Sequence, residues 1–404
     1  MQKAVSTAVS IPTPLLKKSM SAKPKYANAN NEEKIFIETL RKNVNQYFKI
    51  HQLPKHAGNK LLFRALFLMV LLLIIRILAL ISSEKIGLFY FSYVLTGIIA
   101  LPVILNIGHD AVHNNFSGKP IVNKLGSGVF YLFGTSTYFW KLRHIHAHHA
   151  FTNVPGWDLD ISQSNIIRLH DQQARKPFHR FQYLYMPFLF SVYTLNWFFY
   201  RDIKDIFGHK FGNKTIDKHA PAQIVLLIVS KLFFLFYMLV VPVVFQHVDL
   251  QVTLLAFLLF NLSAGLTVTL ALVSTHVGEN QEFVAMENYN LPYSWEIHQL
   301  QTTADFATGN KFITWFFGGF NHHVAHHIFP GIYITFSLFV FSGSIGFSTL
   351  VSGHQEAVSG CYFCNPFPLG KFPGITVLRS CKYNGSIRCK ACCIRISRIY
   401  LLYI

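Results

Sequence analysis

The sequence predicts an all-α integral membrane protein, with four transmembrane helices in two hairpins and a helical cap on the cytoplasmic side. Three observations carry that expectation. Of the 404 residues, 51% are hydrophobic and only 13% charged, and the mean hydropathy is +0.33, too apolar for an ordinary soluble enzyme. Four runs, 62–82, 86–107, 222–245 and 251–275, reach the 20 or so apolar residues that a bilayer crossing needs. The formal net charge of +18 is spread unevenly. The links inside the two hairpins, Ser83 to Lys85 and Gln246 to Leu250, hold one Lys and no Arg, whereas the N-terminal tail and the stretch 108–221 hold most of the basic residues. The positive-inside rule therefore puts the tail and that stretch in the cytoplasm. The basic residues gather on no nucleic-acid-binding module, so nucleic acid is excluded as a partner.

Residues 1–60 form a polar domain that opens with a Ser/Pro/Lys-rich tail. No apolar core precedes a small-residue cleavage site, so no removable signal peptide is expected. Residues 32–50 are patterned as a short amphipathic helix able to lie on the bilayer surface. Residues 61–332 form the main domain. Within it the shorter apolar runs 125–140 and 183–199 are interrupted by Gly, Pro, Thr or Asn, and are expected to lie in the interface or over the site. Arg76 and Lys231 fall inside predicted spans, where long cationic side chains ordinarily snorkel toward headgroups.

The chemistry is carried by histidines. His144, His148 and His149 in RHIHAHH put two rings one helical turn apart, with the third beside them. Upstream, His109 and His113 in GHDAVHNNF are spaced i, i+4, and downstream His323, His326 and His327 in FNHHVAHHIFP are spaced i, i+3, i+4. Eight histidines in three helical-spaced boxes, all on one side of the spans, make a metal site without cysteine. Asp110, Asn153, Asp158 and Asp160 are placed to hydrogen-bond the outward ring N–H groups of such ligands. The histidines at 51, 56, 170, 179, 209, 219, 247 and 354 read as ordinary solvated or hydrogen-bonded side chains.

The order HDAVH, then RHIHAHH with TN and a D-x-D behind it, then GGFNHHVAHHIFP after the second hairpin, resembles the membrane fatty acid desaturase family. The similarity runs from about residue 60 to about residue 332 and is greatest to the acyl-lipid and acyl-CoA branch that includes front-end desaturases. It implies a cap holding two irons, with O2 as co-substrate and a cis double bond placed in a fatty acyl chain as part of fatty acid biosynthesis. The implied ligands are His109, His113, His144, His148, His149, His323, His326 and His327. His276, just beyond the fourth span, is the ninth. Acyl-CoA relatives add an asparagine one turn before that histidine, where this chain has Leu272, so a water or another side chain would complete the set. His298 and His322 are assigned supporting roles around the ligands, and no catalytic residue is expected beyond the metal centre. The HPGG haem motif of a fused cytochrome b5 is absent from this sequence, so a separate ferredoxin or cytochrome b5 is implied as electron donor. The expected location is a bacterial inner membrane rather than the endoplasmic reticulum. A hydroxylase or ketolase would use the same histidines. A histidine-rich metal transporter is the alternative from another class, disfavoured because transport ligands cluster within the spans.

The third domain, 333–404, departs from the family pattern. IYITFSLFVFSGSIGFSTLVS is apolar where relatives are polar, and residues 357–404 contain no Asp or Glu. All six cysteines lie there, and the pairs Cys361/Cys364 and Cys389/Cys392 have zinc-site spacing. The abrupt loss of acidic residues instead favours a non-native, frame-shifted tail.

Overall fold

The computed structural model describes residues 23–161, 165–278 and 281–333. The cysteine pairs and the rest of 334–404 lie outside the described residues, as does the tail before residue 23. Among the described residues the protein is helical, save one two-stranded hairpin of Lys210–Phe211 and Lys214–Thr215.

Helix α1 (Asn31–Ile50) starts where Asn30 accepts a hydrogen bond from the Glu33 N–H at 2.8 Å, and Glu33 in turn takes the Asn30 side-chain amide. Its apolar stripe of Phe36, Ile37, Leu40, Val44 and Phe48 is buried inside the protein. The face expected to meet lipid is therefore already used, and about 1.5–3 kcal/mol per buried side chain holds the helix to the body. Just before it, the Lys25 N–H donates to the Tyr289 carbonyl and the Ala27 N–H to that of Tyr293.

Four long apolar helices follow as two hairpins: α2 (Asn59–Ile81), α3 (Ile86–Val112), then, beyond the cap, the spans Pro221–Phe245 and Leu250–His276. The outward side of α2, with Phe63, Leu66, Leu73 and Ile74 exposed, is the surface a bilayer covers. The second and fourth spans pack closely because Gly97 lies against the Phe260 carbonyl and the Ser263 hydroxyl, where a Cβ has no room. Pro102 interrupts α3 and the helix widens to i→i+5 geometry over Ile104–His109. Asn106 Nδ2 donates to the Pro102 carbonyl at 2.8 Å, satisfying a group that hydrocarbon would leave unpaired.

The stretch between the hairpins builds the cap. It runs as α4 (Pro120–Ser127), a tight turn over Gly128–Phe133 and α5 (Thr137–Arg143), then α6 (Gln182–Ser191), α7 (Tyr193–Asn196) and α8 (Asp202–Ile206). The two interrupted runs are thus broken helices rather than crossings. Gly265 of the fourth span touches the Ser191 carbonyl, which sets α6 against that span. The third and fourth spans are α9 and α10. After them come α11 (Trp295–Thr302), α12 (Lys311–Phe316) and α13 (His323–Ile328).

The two charges inside the spans do not snorkel. Lys231 Nζ lies 2.8 Å from Asp202 Oδ2 and 2.7 Å from the Phe198 carbonyl, tying α9 to the cap. Arg76 lies 4.8 Å over the Tyr93 ring and 5.4 Å over that of Tyr237, and donates to the Tyr237 carbonyl. Internal partners were within reach of both, so neither had to climb to the headgroups.

Candidate metal centre

Helix type decides where the boxes point. Box one sits at the C-terminal end of α3, where its widened turn ends on His109, with the His109 and His113 ring centroids 4.9 Å apart. Box two lies on a second widened turn, His144–His148, and the His149 N–H donates to the His144 carbonyl at 2.9 Å. With hydrogen bonds running i→i+5, His144 meets His149 rather than His148: the Nε2 atoms of the first pair are 3.1 Å apart. The α-helical spacing read from the sequence put His144 and His148 side by side; their ring centroids are 5.6 Å apart, and the wider turn sets His149 closer to His144 than His148 is. Box three rides on the six-residue α13. Asp305 Oδ1 accepts the Val324 N–H at 2.8 Å and satisfies the helix start. His276 is the last residue of α10.

These elements bring nine histidines into two adjoining groups. In the first, His109, His113, His144 and His326 have ring nitrogens within 4.8 Å of one another. His149 joins them, with its Nε2 3.1 Å from that of His144 and 3.0 Å from that of His326. The second holds His148, His276, His323 and His327. There the Nε2 of His276 is 3.1 Å from that of His148 and 2.9 Å from that of His323, and His323 to His327 is 3.2 Å. Box one serves only the first group and His276 only the second, while boxes two and three are divided between them.

The nitrogens fit metal ions. Adjacent ligands at metal–nitrogen bonds of about 2.1 Å in an octahedron are about 3.0 Å apart, close to the spacing of these Nε2 atoms. The protons are on the other side of several rings. His148 Nδ1–H donates to Asp158 Oδ2 at 3.0 Å, His327 Nδ1–H to Gln299 Oε1 at 2.8 Å, and His276 Nδ1–H to the Thr302 carbonyl at 3.2 Å. Their Nε2 lone pairs thus converge, which is repulsive without a cation between them. The buried Nε2 atoms of His109 and His113 have no hydrogen-bond partner among the described residues. Burial, then the neighbouring imidazoles, pushes His113, His144, His149, His323, His326 and His327 well below the ordinary histidine range. Neutral imidazole is the form that binds metal. His148 alone is raised: burial opposes its charge, and Asp158, then Asp160, overcomes that.

The carboxylates and amides around the rings have separate tasks. Asp110 Oδ1 lies 3.3 Å from His109 Nδ1. Asp158 accepts the His148 ring and the Asn153 N–H through one oxygen and the Asp160 N–H through the other. Asn153, at φ +54°, spends its side-chain amide on the carbonyls of His276, Glu282 and Thr302, so it fixes the backbone around His276 rather than a ring. Asp160 lies near His144 and His148 and is paired with Arg201, which, against the effect of burial, holds its carboxyl down at about 2. His298 turns its Nε2 to the Thr152 carbonyl at 2.7 Å, and burial lowers it to about 4. His322 is buried, and its Nε2 has no hydrogen-bond partner among the described residues.

Sequence reasoning passed over Gln299, Thr152, Asp305 and Arg201. Gln299 lies one residue beyond His298, and only the rotation of α11 decides which of the two meets a ring. Thr152 Oγ1 contacts Gln299 Oε1 at 3.0 Å and lies four residues after His148, a spacing that could have marked it. Arg201 is 41 positions from Asp160, with no local signal.

Beside the histidines lies an apolar cavity of about 450 Å3. His144, His148, His276, His323 and Asp160 reach its wall, which is otherwise built from residues such as Ile161, Leu189, Phe190, Leu272 and Val273. A second, smaller cavity of about 130 Å3 shares His144, Asp160, Tyr193, Leu272 and Phe320 with it and is lined further by Leu101 of α3 and Ala264 of α10.

Comparison with known proteins gives the same picture. The family model described as fatty acid desaturase matches residues 86–335. The chain is 30% identical over 307 residues to an sn-1 linoleoyl-lipid 6-desaturase of Synechocystis sp., covering 74% of this chain and 83% of that protein. It is also 30% identical to an sn-1 linoleoyl-lipid 6-desaturase of Arthrospira platensis, over 56% of this chain and 61% of the relative. An acyl-lipid (8-3)-desaturase of Physcomitrium patens is 26% identical over 76% of this chain and 64% of its own length. With more than half of its residues matched by the family and its histidines gathered beside an apolar cavity, the chain belongs to the fatty acid desaturase family, whose members are membrane oxidoreductases.

Proposed function

We propose that the protein is an O2-dependent acyl-lipid desaturase that introduces a cis double bond into a fatty acyl chain. The observation that carries this reading is the convergence of two histidine groups on the wall of an apolar cavity. The names of the relatives support a lipid-linked acyl substrate. One metal would be held by His109, His113, His144, His149 and His326, the other by His148, His276, His323 and His327. Nitrogen donors alone suit several metals, and the inertness of a methylene C–H selects iron. When bound, the two irons would reduce O2 and supply the oxidant that removes two hydrogens.

The chain's own residues do the rest. Leu272, Val273 and Phe320 shape an apolar slot that orients the acyl chain across the histidines and keeps water out. Asp158 and Gln299 hold His148 and His327 in the tautomer that presents Nε2. Leu272 offers no donor atom, so a water completes the second set. The desaturase domain is 61–332, with its boxes on the cytoplasmic side of a bacterial inner membrane, and a separate ferredoxin or cytochrome b5 supplies electrons.

The test is fatty acid methyl ester profiling of a lipid-synthesising host expressing the full chain beside His148→Ala. A new unsaturated ester that vanishes in the variant supports the reading. A hydroxylated ester, or no new ester from iron-loaded protein supplied with reductant, overturns it.

A further inference from the structure

Desaturation consumes two electrons that this chain does not carry, so they must enter through its surface, and the rate of transfer falls steeply with distance. Of the nine histidines, His113 is the least covered, the other eight being buried. Beside it opens a polar notch of about 260 Å3, lined by Lys55, His56, Asn114, Asn115 and Ser117 among others. The notch shares no lining residue with either apolar cavity, so a protein seated there leaves the lipid path clear. Its two main segments are joined where the Ala57 N–H donates to the Asn115 carbonyl at 2.9 Å, and Gly331 completes the lining. Asn115 is 2% exposed and its Oδ1 has no hydrogen-bond partner among the described residues.

The charge of this face is one-sided. The segments that carry the notch and its lysines, 39–60 and 111–157, contain no Asp or Glu of their own, and the nearby Glu296 is paired with Arg41. Lys55, Lys119 and Lys124 are exposed on these segments, and exposed Lys141 lies close enough to act on His113. The other lysine-rich surface, around the hairpin with Lys210, Lys214 and Lys218, also carries the exposed carboxylate of Asp217. A like-signed patch steers an oppositely charged partner and rejects a like-charged one.

We propose that the face around Lys55, Lys119 and Lys141 is the docking surface for a small acidic one-electron carrier, which delivers electrons to the metal centre through His113. This rests on reading the chain as an externally reduced desaturase. Two successive one-electron deliveries, with two protons from solvent, balance the removal of two substrate hydrogens and the reduction of O2 to two waters.

The probe is a purified plant-type [2Fe–2S] ferredoxin, rich in surface carboxylates, added to the full-length, detergent-solubilised, iron-loaded protein. Zero-length carbodiimide cross-linking followed by peptide mapping should join its carboxylates to Lys55, Lys119 or Lys141. Lys55→Glu/Lys119→Glu/Lys141→Glu should weaken ferredoxin binding at low salt by about tenfold or more, while reduction by dithionite is unchanged. The control Lys210→Glu/Lys214→Glu/Lys218→Glu should bind within about twofold of the parent. Cross-links confined to the hairpin lysines, or a triple variant that binds as the parent does, would overturn the proposal. These readouts need no acyl substrate, so failure of the docking face is distinguished from failure of the desaturase reading, which the ester profile alone decides.

Discussion

Asp158 Oδ2 lies 3.0 Å from His148 Nδ1 and at the same time accepts the Asn153 backbone N–H at 2.9 Å. The carboxylate therefore sets the tautomer of a ring and the path of the loop behind it with one oxygen. Asp158→Asn keeps the shape but weakens the acceptor. Iron retention by the purified protein should fall about 10- to 100-fold in affinity, measured as iron per chain against a chelator series.

Gln299 does the equivalent work for His327 through a neutral acceptor at 2.8 Å. Gln299→Leu should release the ring and lower iron affinity by about tenfold or more, whereas Gln299→Glu, which retains the acceptor, should stay near the parent. Equal iron loss in both variants would show that packing rather than the hydrogen bond matters there.

Leu272 lines both cavities and donates to no ring. Leu272→Trp should fill the slot and abolish the unsaturated product while leaving iron content unchanged, with a stability loss of about 1–3 kcal/mol from overpacking. Iron analysis beside ester profiling separates a blocked cavity from a damaged metal site.

The Lys231–Asp202 pair, with side chains 14% and 3% exposed, ties the third span to the cap. Lys231→Met leaves a buried carboxylate without its cation, held among the described residues only by the Trp197 indole N–H, and should destabilise the protein by about 3–5 kcal/mol in detergent. Adding Asp202→Asn should restore part of that loss. A snorkelling lysine would show neither effect, so thermal unfolding of the single and double variants distinguishes the two.

Tyr26 reaches from the segment before α1 to the Ala150 carbonyl at 2.6 Å, directly behind box two, with its ring edge-on to His298. Tyr26→Phe removes only that hydrogen bond. It should reduce stability by about 1 kcal/mol, read as a lower unfolding temperature with the product pattern unchanged.

What the sequence determined by itself was what length and residue type can encode. Crossing a bilayer requires about 20 apolar residues whatever they pack against, so the four spans were legible from hydropathy to within a few residues. The three boxes were legible because histidine is seldom repeated at such spacing. The tertiary structure decided how those histidines are shared. The hydrogen bond from His149 to His144 runs i→i+5, a choice that residue spacing does not reveal, and it sends His148 to a different group from its neighbours. The rotation of α11 turned Gln299, not His298, toward a ring. Lys231 found Asp202 across 29 positions of chain. Partners of this kind are set by packing between elements, where no local pattern records which side chains will meet.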